Sequence, residues 1–329
     1  MTKASDRRDL EHLLRRAGFG GRPEEVDAAV ADGYEATVDR LVAGATGATR
    51  ASLLPLPPLT PGPAYLALHP KPQSIYKRLS LETLALQAWW LAQMATTTEP
   101  LREKLTLLWH GHFATAVSKV VAPDFMLGQN RIFRAMGAGS FELLTSAVAE
   151  DPAMLIWLDA GSDTKGSPNE NFARELMELF TLGIGNYTEA DVKAGARCFT
   201  GWRLLGNASL GVKVADHDDG VKRFLGHTGN LSGADVLHIV TNHPASHRWV
   251  ASRLWSHLAW PVSPRDPVVA PLARRHGEDL DIGRLVRSIL MHPQFRSDRA
   301  RTGLVKQPIE YVAGTLRALG VKPGTNNQV

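Results

Sequence analysis

At 329 residues with 44% hydrophobic side chains, the chain can bury one large core or two ordinary ones, because single cores stop growing at roughly 250–300 residues. That composition excludes a disordered chain, and 37 Lys and Arg against 33 Asp and Glu is too small a surplus to argue for nucleic acid. A single cysteine, Cys198, excludes an internal disulfide. The opening MTKASDRRDL lacks the apolar core of a signal peptide, and no apolar run reaches membrane-spanning length. The expectation is a soluble, cytoplasmic protein.

Taken in chain order, "DLEHLLRRAGFGGRPEEVDAAVADGYEATVDRLVAG" reads as two or three short amphipathic helices, with glycines at their ends and Pro23-Glu24-Glu25 as a first turn. This N-terminal helical segment covers residues 1–43. From 44 to 73 the chain carries seven prolines, which rules out continuous helix and suits a linker or clasp laid over the surface. Residues 74–329 form the main helical domain, making one compact unit with the N-terminal segment. Its apolar patterns repeat at three and four residues in "IYKRLSLETLALQAWWLAQMATT", "PLREKLTLLWHGHF", "FMLGQNRIFRAMGAGSFELLTSAVAED", "TEADVKAGARCFTGW", "HPASHRWVASRLWSHLAW" and "PIEYVAGTLRALG". Only "LGVKVAD" and "RFLG" look capable of short strands. The fold class is all-α, a multi-helix globular bundle with at most minor strands.

The stretch "NENFARELMELFTLGIG", residues 169–185, carries the densest polar chemistry. At about 100° per residue, Phe172, Ala173, Leu176, Met177, Leu179 and Phe180 share one side, while Asn171, Arg174, Glu175 and Glu178 share the other. Ser167 or Asn169 supplies the start and Gly183 or Gly185 the stop. One account is a solvated face with an i,i+4 pair from Arg174 to Glu178. The other is a cleft in which Glu175 and Glu178 hold a cation or act as acid and base. Spacing alone leaves both open.

In "WHGHF", Leu101, Leu105, Leu108 and His112 fall on one line, so His112 points inward and His110 away. An inward histidine is either a hydrogen-bonded core residue or a ligand. His217 in "HDDG" is either part of a turn or an imidazole beside carboxylates, as metal sites use. Asn242 or His243 caps a helix with Pro244 at its first position, and His247 shares a face with Val250, Leu254 and Leu258. No phosphate loop, HExxH helix, GxSxG elbow, CxxCH site or paired ExxH motif is present, and Cys198 beside Phe199 reads as an inert buried thiol.

The 169–185 stretch, with "DPAMLIWLDAGSDTKGSP" before it and "YTEADVKAGARCFTGW" after it, resembles the bacterial domain of unknown function 1800 family. That family carries a similar Asn-Glu-Asn-x-Ala-Arg-Glu-x-x-Glu-Leu core. The likeness extends through "LLRRAGFG", "REKLTLLWHGHF", "HDDGVKRFLG", "NHPASHRWVASRLW" and "VKQPIEYVAGTLRALG". It implies no assigned activity. Similar proteins run on past "GVKPGTNNQV" into a segment with a Gly-Trp motif, so the chain is expected to be a short or truncated member. Their genes often lie beside one for a sulfatase-like or phosphatase-like protein, which implies such a partner. Two functions compete. In the first, a metal-assisted hydrolase, His112, Glu175 and Glu178 are catalytic, Asn171 and Arg174 bind substrate, and His112, Glu175 and His217 hold a divalent metal ion. In the second, a non-catalytic interaction or scaffold protein, the same residues form a buried polar network that fixes helix register.

Overall fold

Prolines at or next to the first helical position recur through the chain: Pro23, Pro100, Pro123, Pro152, Pro244 and Pro308 each start a helix, where the missing N–H removes no intrahelical bond. The computed structural model describes residues 3–48, 53–68 and 71–321. The helices are α1 (Lys3–Arg16), α2 (Pro23–Asp32), α3 (Tyr34–Thr46), α4 (Gly62–Leu66), α5 (Gln73–Thr96), α6 (Pro100–His112), α7 (Val117–Val120), α8 (Pro123–Met136), α9 (Phe141–Ala149), α10 (Pro152–Trp157) and α11 (Glu170–Glu175). A π-helical segment, Leu176–Thr181, continues α11, and α12 (Glu189–Phe199) follows. Two antiparallel hairpins come next, β1 (Trp202–Leu204) with β2 (Leu210–Val212) and β3 (Lys222–Phe224) with β4 (His227–Gly229). The chain closes with α13 (Gly233–Asn242), α14 (Pro244–Leu258), α15 (Val269–Gly277), α16 (Ile282–Leu290), α17 (Asp298–Thr302) and α18 (Pro308–Ala318). The fold is therefore mostly helical, and its strands include the two segments expected to form them, each paired with a strand the pattern did not single out.

One large core gathers Leu13, Trp109, Phe141, Phe172, Phe199, Leu254, Trp255 and Ile289 from elements along the whole length. A second cluster, Tyr65, Ile75, Leu79, Val120, Phe125 and Ala153, joins α4 to the start of α5, α7, α8 and α10. In the Pro-rich stretch, residues 49–52 and 69–70 lie outside the described residues. The described remainder is pinned by side chains. Leu54 N donates to Gln93 Oε1 and its carbonyl accepts from Trp89 Nε1, Thr60 donates to the Glu82 carboxylate through backbone and hydroxyl, and Gly62 N donates to Asp124 Oδ2. Phe125 passes so close that a Cβ at Gly62 would sit 1.9 Å from its ring, which requires glycine there. The "GVKPGTNNQV" end falls largely outside the described residues, which stop at 321.

The ends of the chain interlock. His12 Nε2 bonds the Phe295 carbonyl at 2.9 Å, Arg16 Nη2 donates to the Ala300 carbonyl, and Arg317 Nη2 donates to Glu25 at 2.6 Å. Helix α6 runs through the middle, against α3, α5 and α8. Its consecutive Arg102, Glu103 and Lys104 are all buried, so each needs a partner. Arg102 meets Glu99 and the carbonyls of Gly44, Gly47 and Arg134; Lys104 meets Glu310. Glu103 takes both Nε (2.6 Å) and Nη2 (2.9 Å) of Arg134, with both side chains under 5% exposed. Breaking a buried pair from one side leaves an uncompensated charge, at a cost of about 3–5 kcal/mol. Arg134→Leu is therefore expected to lower the urea midpoint by that much stability, and adding Glu103→Leu to recover most of it. A single variant as stable as the double one would show that the pair is not needed.

Candidate functional site

The acidic helix starts as its sequence directs: Asn169 is the N-cap, its side chain accepting from Phe172 N at 3.1 Å. It does not continue as one α-helix. After Glu175 the turn widens, with Leu182 N and Gly183 N both reaching the Met177 carbonyl and Thr181 Oγ1 bonding the Leu176 carbonyl. A wider turn advances each residue by a smaller angle, so Leu179 swings out to 46% exposure and Thr181 swings in to full burial. The segment ends at Gly183, whose φ of 77° favours glycine and where a Cβ would sit 2.8 Å from Trp249. Its last carbonyls are taken up by other helices: Leu179 accepts from Trp249 Nε1 at 3.0 Å, and Phe180 from His112 Nε2 at 2.8 Å.

His112 is buried as its pattern predicts, and donating to a carbonyl fixes its tautomer with the proton on Nε2. The rings of Trp109, Phe113, Phe141 and Phe180 surround it, and burial lowers its pKa to about 3, so it stays neutral. The expected partners are elsewhere. Arg174 makes a bidentate pair with Glu189 of α12 at 2.6 and 2.8 Å instead of the i,i+4 pair with Glu178, because the π turn breaks that stacking. Glu178 accepts from Tyr187 Oη at 2.6 Å, and Asn171 is exposed. Glu175 is partly exposed and makes no hydrogen bond or ion pair among the described residues; desolvation, then the neighbouring Glu178, raises its pKa. His217 belongs to another neighbourhood, where its Nδ1 donates to the Thr200 carbonyl at 2.8 Å while Asp218 pairs with Arg197. The proposed ligand set His112, Glu175 and His217 is thus not assembled. Among the described residues no three His, Cys, Asp or Glu side chains come together so as to hold a metal ion. Cys198 is buried and its pKa pushed up to about 11 by burial, away from reactive thiolate chemistry.

What the residues do build is a cavity of about 280 Å³ between α5, α6, α7 and α8. Thr83, Leu86, Gln87 and Trp90 line it from α5, and Pro123, Met126, Leu127 and Asn130 from α8; each set recurs at helical spacing, so the two stripes face each other. His110 closes one side, set edge-on to Trp90 at 5.2 Å, and burial lowers its pKa. The Glu103–Arg134 pair holds these walls: Trp90 Nε1 donates to Glu103 at 3.3 Å, Arg134 Nη1 donates to Asn130 Oδ1 at 2.6 Å, and the Arg134 guanidinium lies 5.4 Å from the Trp89 ring. A polar chain leaves the opposite wall, where Thr115 Oγ1 donates to Gln129 Oε1 at 2.6 Å and Gln129 Nε2 to Asp151 Oδ2 at 3.0 Å. Sequence reasoning placed His110 outward and passed over Trp90, Asn130 and Asp151. The repeat of Thr83, Leu86, Gln87 and Trp90 on a helix whose other faces are also apolar was the signal for a second packed side.

Fold and cavity together define a helical protein with an aromatic-walled pocket, partly open to solvent, fixed by a buried ion pair. The chain belongs to the family described as protein of unknown function (DUF1800), whose model matches residues 12–329. No curated protein and no solved structure matches it.

Asp151 also caps α10 through Met154 N, yet burial dominates and pushes its pKa up to about 7 from 3.8. The folded state therefore keeps a proton that the unfolded state loses, so its stabilising contribution is full below about pH 4 and declines as pH rises through 7. Asp163, raised by burial to about 7, acts with the same sign. Asp151→Asn keeps the cap and removes one titration. The difference in unfolding free energy between variant and parent, from urea titrations at pH 4, 5.5 and 7.5, should then shift toward the variant as pH rises. A difference independent of pH would show that Asp151 ionises normally in the fold.

Proposed function

We propose that the protein binds a small molecule in the cavity between α5, α6 and α8. The single observation that carries this reading is a preformed space of about 280 Å³ walled by Trp89, Trp90, His110, Met126 and Leu127. Ligand sites are concave, mostly apolar and carry a few placed polar groups, and this one has that make-up. A dry cavity of roughly 150 Å³ takes benzene, so this one suits a ligand of roughly ten heavy atoms. Indane, a fused two-ring hydrocarbon, is a probe of that size. At saturating indane the melting temperature is expected to rise by linkage, and Thr83→Trp, at the cavity edge, to abolish the rise. A melting temperature that indane leaves unchanged, or an equal rise in the variant, would remove the reading.

A second reading, metal-assisted hydrolysis at the acidic helix, is favoured by one feature, the raised pKa and missing hydrogen-bond partner of Glu175 beside Glu178. The divalent ion it calls for would need ligands other than His112 and His217, which are engaged elsewhere. Glu175→Gln keeps shape and removes charge. On this reading the substitution lowers both the metal content of the purified protein and its turnover of p-nitrophenyl phosphate; unchanged values eliminate it. A sulfatase-like or phosphatase-like partner is a separate proposal, and exposed Leu81 and Leu84 of α5, Tyr311 of α18 and Leu319 just past its end are apolar side chains such a partner would cover. No described helix is long and apolar enough to cross a membrane.

A further inference from the structure

The cavity wall contains a buried donor with nothing to donate to. Asn130 is 6% exposed, and its Nδ2 has no hydrogen-bond partner among the described residues. Turning the amide over would not relieve it, because Oδ1 accepts from Arg134 Nη1 at 2.6 Å and a guanidinium can only donate. Four neighbouring donors are occupied: Trp89 Nε1 by the Leu54 carbonyl, Trp90 Nε1 by Glu103, Thr83 Oγ1 by the Leu79 carbonyl and Thr115 Oγ1 by Gln129; the less buried Gln87 and His110 line the outer part of the space. Among the buried lining groups described, Asn130 Nδ2 is the donor left over. An unsatisfied buried donor is costly, and a ligand acceptor placed against it offsets that cost.

The same wall limits the ligand's charge and shape. No Asp, Glu, Lys or Arg lines the cavity, and the charged pair behind it, Glu103 with Arg134, is internally matched. A charged group placed at the buried end of the pocket, against Asn130, would lose hydration with no opposite charge to meet it. Trp90 and His110 stand nearly perpendicular, at 86°, and offer a flat guest a ring face and a ring edge.

Resting on the cavity reading above, we propose that the ligand is an uncharged ring compound with one hydrogen-bond acceptor, seated with that acceptor on Asn130 Nδ2 and its ring against Trp90 and His110. A matched set of probes tests this by isothermal titration calorimetry: indane, 1-indanone, which adds one carbonyl to the same skeleton, and indane-2-carboxylate, which adds a charge. The parent protein is expected to bind 1-indanone about threefold to tenfold more tightly than indane, as one neutral hydrogen bond provides. The carboxylate should bind at least about tenfold more weakly than the ketone. Asn130→Asp retains the acceptor for Arg134 and removes the donor, so within that variant the ratio of ketone to indane affinity should fall to about one. Asn130→Leu, checked for native helicity, gives the same readout without a new charge and covers the case in which the aspartate variant does not fold. Equal affinities for ketone and hydrocarbon in the parent, or a preference that survives both substitutions, would overturn the role of Asn130 and leave the cavity reading standing. Carboxylate binding as tight as the ketone's would overturn the uncharged class. Failure of both neutral probes to bind the parent would remove the cavity reading and this inference together.

Discussion

The buried ion pair between Glu103 of α6 and Arg134 of α8 is the constraint from which the candidate site follows. A carboxylate and a guanidinium taken out of water must meet in good geometry with their remaining positions filled, or the fold loses more than their attraction returns. Here they are filled by the groups that shape the cavity: Trp90 donates to Glu103, Asn130 accepts from Arg134, and Trp89 lies beside the guanidinium. A hydrophobic pair of similar volume could hold α6 to α8 equally well, but it would not orient an amide and two indoles. The pair's contribution is therefore best described as orientation, with the cavity as its product.

This arrangement was the hardest part of the molecule to see in the sequence. Three consecutive charged residues, Arg102, Glu103 and Lys104, ordinarily mark a solvated face, yet all three are buried because α6 is enclosed by α3, α5 and α8. Their partners, Glu99, Arg134 and Glu310, come from distances of three, 31 and 206 residues along the chain, and no local pattern specifies such pairings. His110 was misread for the same reason: facing away from one packed side of α6 meant facing another. Features decided within a turn or two were legible. The helical class and the inward His112 depend on neighbours close in sequence, as do the helix limits, which the sequence narrows to Ser167 or Asn169, Asn242 or His243, and Gly183 or Gly185, and of which the structure uses Asn169, His243 and Gly183.

The π segment lies between those cases. The limits the sequence allows, Ser167 or Asn169 and Gly183 or Gly185, bracket it, but nothing in the apolar timing of "ELMELFTLG" separates a wide turn from an ordinary one, because the difference is set by what receives the terminal carbonyls. With His112 on Phe180 and Trp249 on Leu179, the wider turn directs both carbonyls onto waiting donors. The polar stripe that looked like a shared pocket is divided accordingly: Arg174 and Glu178 are tied to Glu189 and Tyr187 around the start of α12, while His112 serves the opposite, buried side.

The interlocking of the chain's two ends bears on how the protein is made. Helix α1 presents Leu10, Leu13 and Leu14 to the core, and the segment that receives its polar side chains through His12–Phe295 and Arg16–Ala300 lies more than 280 residues later. During synthesis at about 5–20 residues per second, α1 leaves the ribosome many seconds before that segment exists. Its apolar face and buried-to-be cations must wait, half-assembled, for the last helices to arrive. A nascent chain halted before residue 290 would hold α1 against α2 and α3 but without the Phe295 and Ala300 carbonyls that receive His12 and Arg16.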